Sequence, residues 1–259
     1  MIRLINAELL KIRSTRMWIG MLALSVGFAL LGLVFLIALA GADLGGEQGI
    51  PPVTDPETVK AFYANASGGV MFMMILGILG ITAEYRHQTI TQAFLVTPRR
   101  GAVLAAKLIS YFVFGLAFGL ATVLVTVAVA WPALAIKGGS TSLIDNDVPV
   151  ILGGTVLAMG LYALVGLGLG ALIRNQIAAI IVAVGWVQLV EAILTFAVPE
   201  VGQWLPAGAV RAITSTTGGF GGPGDLDTLP AWGGVLVLLG YGLAFAAVAT
   251  FTTTRRDIT

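Results

Sequence analysis

The chain has 259 residues, 58% of them apolar and only 10% charged, with a mean hydropathy of +0.97, which excludes a soluble globule, where about 25% of residues carry charge. Fourteen basic side chains against thirteen acidic ones leave a net charge of +1, too little for a nucleic-acid footprint, so no nucleic-acid partner is expected. The absence of cysteine excludes disulfide frameworks, thiolate zinc sites and cysteine nucleophiles.

The first sixteen residues place Ile2, Ile5, Leu9 and Ile12 on one helical stripe, with Arg3, Glu8 and Lys11 largely opposite. This spacing predicts an amphipathic interfacial helix over 1–16, lying along the headgroups with its cations near anionic lipid. The competing reading is a solvated tail whose charges only set topology. Six apolar runs of spanning length follow, at about Met17 to Gly41, Phe62 to Ala83, Leu108 to Trp131, Val150 to Ile173, Ile177 to Val198 and Trp232 to Phe251. In hydrocarbon every backbone amide needs a partner within the protein, and runs of about twenty residues satisfy this as helices rather than barrel strands. The fold class expected is therefore all-α, a polytopic membrane protein with six transmembrane helices. The first run is read as a retained span rather than a cleaved signal, because a mostly polar segment precedes it and no small-residue cleavage pattern follows.

Basic residues divide unevenly between the two sides. Eleven fall before the first span, between the second and third, after the fourth and at the carboxyl end; three, Lys60, Lys137 and Arg211, fall on the other side with most of the acids. Lys and Arg accumulate on the cytoplasmic side, so both termini are expected there.

Between the second and third spans, Glu84, Tyr85, Arg86, His87, Thr89, Ile90, Pro98 and Arg99 form a chemically mixed connection over 84–107. Ile90 and Phe94 are one turn apart, which predicts a short amphipathic helix ending before Pro98. A helix held between two spans is a handle that a cytosolic protein could push; the bland alternative is a basic topology loop. The segment 199–231 is too long for a tight turn. A short re-entrant helix near Leu205 to Thr216 satisfies its backbone better than open coil would. Its Gly219 to Gly224 run matches GxGxxG formally, but without a preceding strand the dinucleotide reading fails.

None of the four lysines follows a glycine, so no phosphate-cradling loop for ATP is expected in this chain. With His87 its one histidine, a metal cluster or protease triad has no members, and the chain is not expected to be an enzyme or to hold a cofactor or metal itself. Within the spans the one acid is Glu191, a turn from Gln188. Its charge costs about 3 kcal/mol or more at the bilayer centre, so Gln188 and Glu191 either line a substrate path or Glu191 pairs with protein or reaches the outer headgroups. The pairs Gly115 with Gly119 and Gly166 with Gly170 predict close helix approach, within a bundle or a dimer.

Taken together, the order of elements resembles the permease subunit of type-two ABC exporters from end to end. The residues that carry the likeness are Glu8 and Lys11; Glu84, Arg86, Thr89, Ile90, Pro98, Arg99 and Lys107; Arg174 and Gln176; and Arg255 to Asp257. Gln88 departs from the glycine expected beside Thr89. The resemblance implies a coupling helix within 84–107 that docks on separate cytosolic ATP-binding subunits, which hold ATP and magnesium. It also implies a second permease chain, identical or not, outer re-entrant helices within 199–231, and a multi-pass protein of a bacterial cell membrane that exports a hydrophobic or amphipathic cargo. A membrane anchor or sensor that recruits a cytosolic ATPase without transport is the alternative from a different class.

Overall fold

A computed structural model describes residues 1–41, 51–87, 100–216 and 228–255. Their regular structure is helical: α1 Ile2–Ser14, α2 Met17–Leu39, α3 Pro56–Ala64, α4 Val70–Arg86, α5 Arg100–Lys137, α6 Val148–Ile173, α7 Gln176–Gly185, α8 Glu191–Ala197, α9 Pro206–Thr214 and α10 Ala231–Arg255. Six helical stretches among the described residues are long and apolar enough to cross a membrane, in the order the sequence predicts.

The second stretch, Pro56–Arg86, is not the single rod expected between Phe62 and Ala83. It narrows to a 3-10 turn at Asn65–Gly69, where the Asn65 amide donates to the Ala61 carbonyl and the Ser67 hydroxyl to that of Ala64, each at 2.7 Å. Such side-chain bonds compete with the helical ladder. The turn also lets α2 approach, with the Ser25 hydroxyl donating to the Gly69 carbonyl at 3.2 Å. The third stretch is longer than the sequence predicts. At 38 residues it measures about 57 Å, at ~1.5 Å per residue, against ~30 Å of hydrocarbon, so part of α5 stands beyond the apolar slab.

The hub is α6, whose most apolar window is 72% buried inside the chain. It packs against α4, α5 and α10. Close approach depends on the glycine pairs. A Cβ at Gly115 would lie 2.8 Å from the Gly160 Cα, one at Gly119 2.9 Å from the Val156 Cα, and one at Gly170 3.0 Å from the Ile78 Cα, while one at Gly166 would overlap the Met74 carbonyl. All four contacts are made within the bundle. By contrast, the windows of the first and fifth spans are only 22% and 17% buried, so these two helices turn most of their surface away from the rest of the chain. A two-residue corner joins the fourth span to the fifth: Arg174 ends α6 in the left-handed region, and the Asn175 carboxamide accepts from the Ala178 N–H at 3.1 Å to cap α7.

Within the segment 199–231, a single turn at Pro199–Gly202 precedes α9, which is buried against α6 and α10. The glycine-rich run lies outside the described residues.

Candidate functional site

Two clusters of polar side chains sit at opposite ends of α4. The first joins elements far apart in sequence. Lys107, near the start of α5, is 2% exposed. Its ammonium reaches Glu8 Oε2 of α1 at 2.5 Å and Glu84 Oε1 of α4 at 2.8 Å. Lys11 closes the ring, donating to Glu8 Oε1 at 3.2 Å and to Glu84 Oε1. Two ammoniums and two carboxylates cancel in charge. Taking ions out of water costs several kcal/mol each, about what complete pairing recovers, so such a quartet persists only while every member is present. Burial pulls the Lys11 pKa down, and Glu84 and then Glu8 more than reverse this, leaving it above the usual lysine value and the side chain charged. The Ser110 hydroxyl stands 2.7 Å from the Ala106 carbonyl and 3.2 Å from that of Ile5, and the Tyr111 ring lies 5.9 Å from the Lys107 ammonium.

This quartet corrects one expectation. Glu8 does not face away from the apolar stripe of α1; it is buried on the same face as Ile12, while Ile2 and Leu10 are exposed. Positions 5, 8 and 12 share a helical face, and the burial of Glu8 is stabilised by Lys107, 99 positions later in the chain. Glu84 is likewise turned inward, at 6% exposure. Tyr85 is half-buried, with the Arg174 guanidinium 5.5 Å from its ring centroid. Arg86 and His87 are exposed at the end of α4. Thr89, Ile90, Pro98 and Arg99 lie outside the described residues, as does the helix expected before Pro98. Lys107 reads from the sequence as one more base of the 84–107 connection, with no partner assigned. The signal was its position, since Glu84 and Lys107 stand at the two ends of one connection.

At the opposite end, the fifth span is interrupted by one π turn, Trp186–Val190, a geometry that often marks functional positions. Immediately after it comes Glu191, 1% exposed, whose Oε2 accepts from the Ala207 N–H at 2.7 Å. Ala207 is in the first turn of α9, where the N-cap residue Leu205 supplies no side-chain acceptor. The carboxylate therefore fills the capping role from a neighbouring span and complements the positive end of the helix. Pairing with protein is thus observed for Glu191. Gln188, within the π turn, is exposed and lines a cavity of about 680 Å³ between α2, the α3–α4 stretch, the π turn and α9. Phe28, Met71, Val187 and Val210 supply apolar wall, and Arg211 and Tyr162 also reach it; Glu191 stands behind that wall. Among the described residues no cluster of His, Cys, Asp and Glu suited to a metal ion occurs.

No curated protein matches the chain. The family described as ABC-2 family transporter protein matches residues 4–188, from α1 through the quartet to the π turn. Permeases of this family work with ATP-binding subunits and do not themselves catalyse hydrolysis. On a match that covers well over half its length, the chain belongs to the ABC-2 transporter family, as a membrane-spanning permease component.

Proposed function

We propose that the chain is the permease of an ATP-driven exporter, moved at its Glu84–Lys107 end by a separate cytosolic ATP-binding subunit, and that it carries a hydrophobic or amphipathic cargo outward. The observation that supports this most is the quartet. Glu84 and Lys107 bracket the connection 84–107, and Glu8 and Lys11 tie α1 to both of its ends. A push on that connection would therefore reach α1, α4 and α5 together. ATP binding shifts a conformational equilibrium only by its differential affinity for the two states, and a joint clamped by four ion contacts loses little of that difference in local bending.

In this reading both termini are cytoplasmic, α1 lies in the interface as a lever, Arg86 and His87 face the ATP-binding subunit, and Glu84 acts through Lys107 and Lys11. The α9 segment is an outer re-entrant gate held by Glu191, and the cavity beside Gln188 belongs to the cargo path. A second permease chain packs against the weakly buried first and fifth spans. The test uses inside-out vesicles holding the chain and its ATP-binding subunit, with a fluorescent amphiphile supplied in the surrounding medium and its ATP-dependent uptake into the lumen measured. Arg86→Ala and Glu84→Gln should leave ATP hydrolysis running and the permease inserted while ATP-dependent movement of the dye falls. Normal movement with both substitutions would remove the connection from the coupling role.

A further inference from the structure

The polar groups lining the cavity differ in one respect, namely whether they are already used. The Asn65 amide donates to Ala61, the Ser67 hydroxyl to Ala64 and the Thr58 hydroxyl to Pro51. The Thr216 hydroxyl is 2.9 Å from that of Thr214. The Glu57 carboxylate is paired with Lys60 at 2.9 Å, and Lys60 also reaches Asp147 at 3.2 Å. Three lining side chains remain with no hydrogen bond or ion pair to any described residue: Arg211 on α9, Gln188 on the π turn and Tyr162, through its hydroxyl, on α6. Arg211 is half-buried, yet presents a guanidinium with five N–H donors. The acid facing it electrostatically is Glu191, which lies beyond ion-pair distance and accepts from the Ala207 N–H through one of its two oxygens.

A desolvated cation with unused donors is costly unless something supplies acceptors. Guanidinium matches the two oxygens of a carboxylate or phosphate in bidentate fashion. The rest of the wall is apolar, and about 680 Å³ falls within the ~300–1,000 Å³ of small-molecule sites. We infer that this cavity binds an anionic amphiphile, with Arg211 and Gln188 holding its phosphate or carboxylate headgroup and the apolar wall holding its hydrocarbon chain. This rests on the reading of the cavity as part of the cargo path, and specifies the chemical class of the cargo.

The test is photolabelling of the full chain in phosphatidylcholine nanodiscs with a diazirine-bearing dodecyl phosphate, with labelled residues located by mass spectrometry. Saturable labelling of cavity residues is expected, displaced by dodecyl phosphate but not by dodecyltrimethylammonium or inorganic phosphate. Adding phosphatidylglycerol to the nanodisc separates the sources: displacement identifies a lipid headgroup as the natural occupant, and its absence a free amphiphile. R211Q should weaken labelling about tenfold or more, while R211K, which keeps the charge but loses the bidentate fork, should fall between R211Q and wild type.

Equal labelling of R211Q and wild type, equal displacement by the cationic amphiphile, or displacement by inorganic phosphate alone would each overturn the proposal. Should R211Q fail to fold, Met71→Trp and Val187→Trp fill the apolar wall while keeping the cation. These must abolish labelling, and undiminished labelling in both would also overturn it. No ATP-binding subunit is in the assay, so failure here leaves the ATP-coupled reading standing, and failure of ATP coupling leaves this assay unaffected.

Discussion

Lys107 is the side chain on which the largest single-residue effect is expected. It contacts both carboxylates of the quartet from a position 2% exposed, so Lys107→Met leaves Glu8 and Glu84 sharing Lys11. Breaking a buried pair from one side typically costs about 3–5 kcal/mol, and a loss of that order is expected in detergent-driven unfolding of K107M. Combining it with Glu84→Gln should be less damaging than the sum of the two, because the second change removes a carboxylate the first has orphaned. Strict additivity would show that the quartet does not act as a unit. Glu8 shows why this site was only half legible. The sequence reading sets it opposite the apolar stripe with the other charged residues of α1, and reading it as buried requires knowing that a lysine from α5 arrives there. Sequence position supplies no such long-range pairing, so a charge among Ile5, Leu9 and Ile12 reads as solvent-facing.

At the scale of the elements, apolar run length is what made six spans legible, since hydrocarbon accepts little else. Interruptions inside a run leave a weaker trace. The turn at Asn65–Gly69 and the π turn at Trp186–Val190 change no residue's polarity class, so the second and fifth spans read as unbroken. The glycine pairs carried more information than their chance frequency suggests. Gly166→Val places side-chain atoms on the Met74 backbone, and overpacking of this kind costs about 1–3 kcal/mol. On the same helix nothing lies within 4 Å of a Cβ added at Gly153. Gly153→Ala should therefore be neutral or stabilising by up to about 1 kcal/mol through helix propensity. Parallel unfolding curves decide it, and equal losses at both positions would contradict the packing described for α6. For α9, Glu191→Ala removes the acceptor at Ala207 without touching the cavity wall. Amide exchange in Pro206–Thr214 should then quicken by about tenfold, the equivalent of ~1.4 kcal/mol, while Glu191→Gln, which keeps a carbonyl acceptor, should fall between. Unchanged exchange in E191A would show that α9 is held by its packing on α6 and α10 alone.

For the molecule as a whole, the two ends of α4 carry different chemistry. The quartet joins α1, α4 and α5 at one end, and at the other a cavity opens beside a π turn and a helix pinned by one carboxylate. In the proposed reading, force applied at the first would reach the second through the glycine-packed α6 and its neighbours. The absence of cysteine from the sequence makes the decisive test clean, because a single introduced thiol reports its own surroundings. With Arg86→Cys carrying a photo-crosslinker in intact cells, the expected product is a covalent adduct to an ATP-binding subunit, identified by its phosphate-loop peptide. The same thiol should be protected from a membrane-impermeant reagent until the cells are opened. Modification from outside intact cells, or adducts to lipid with none to an ATP-binding subunit, would contradict the claim that this end of the permease is where a separate motor takes hold.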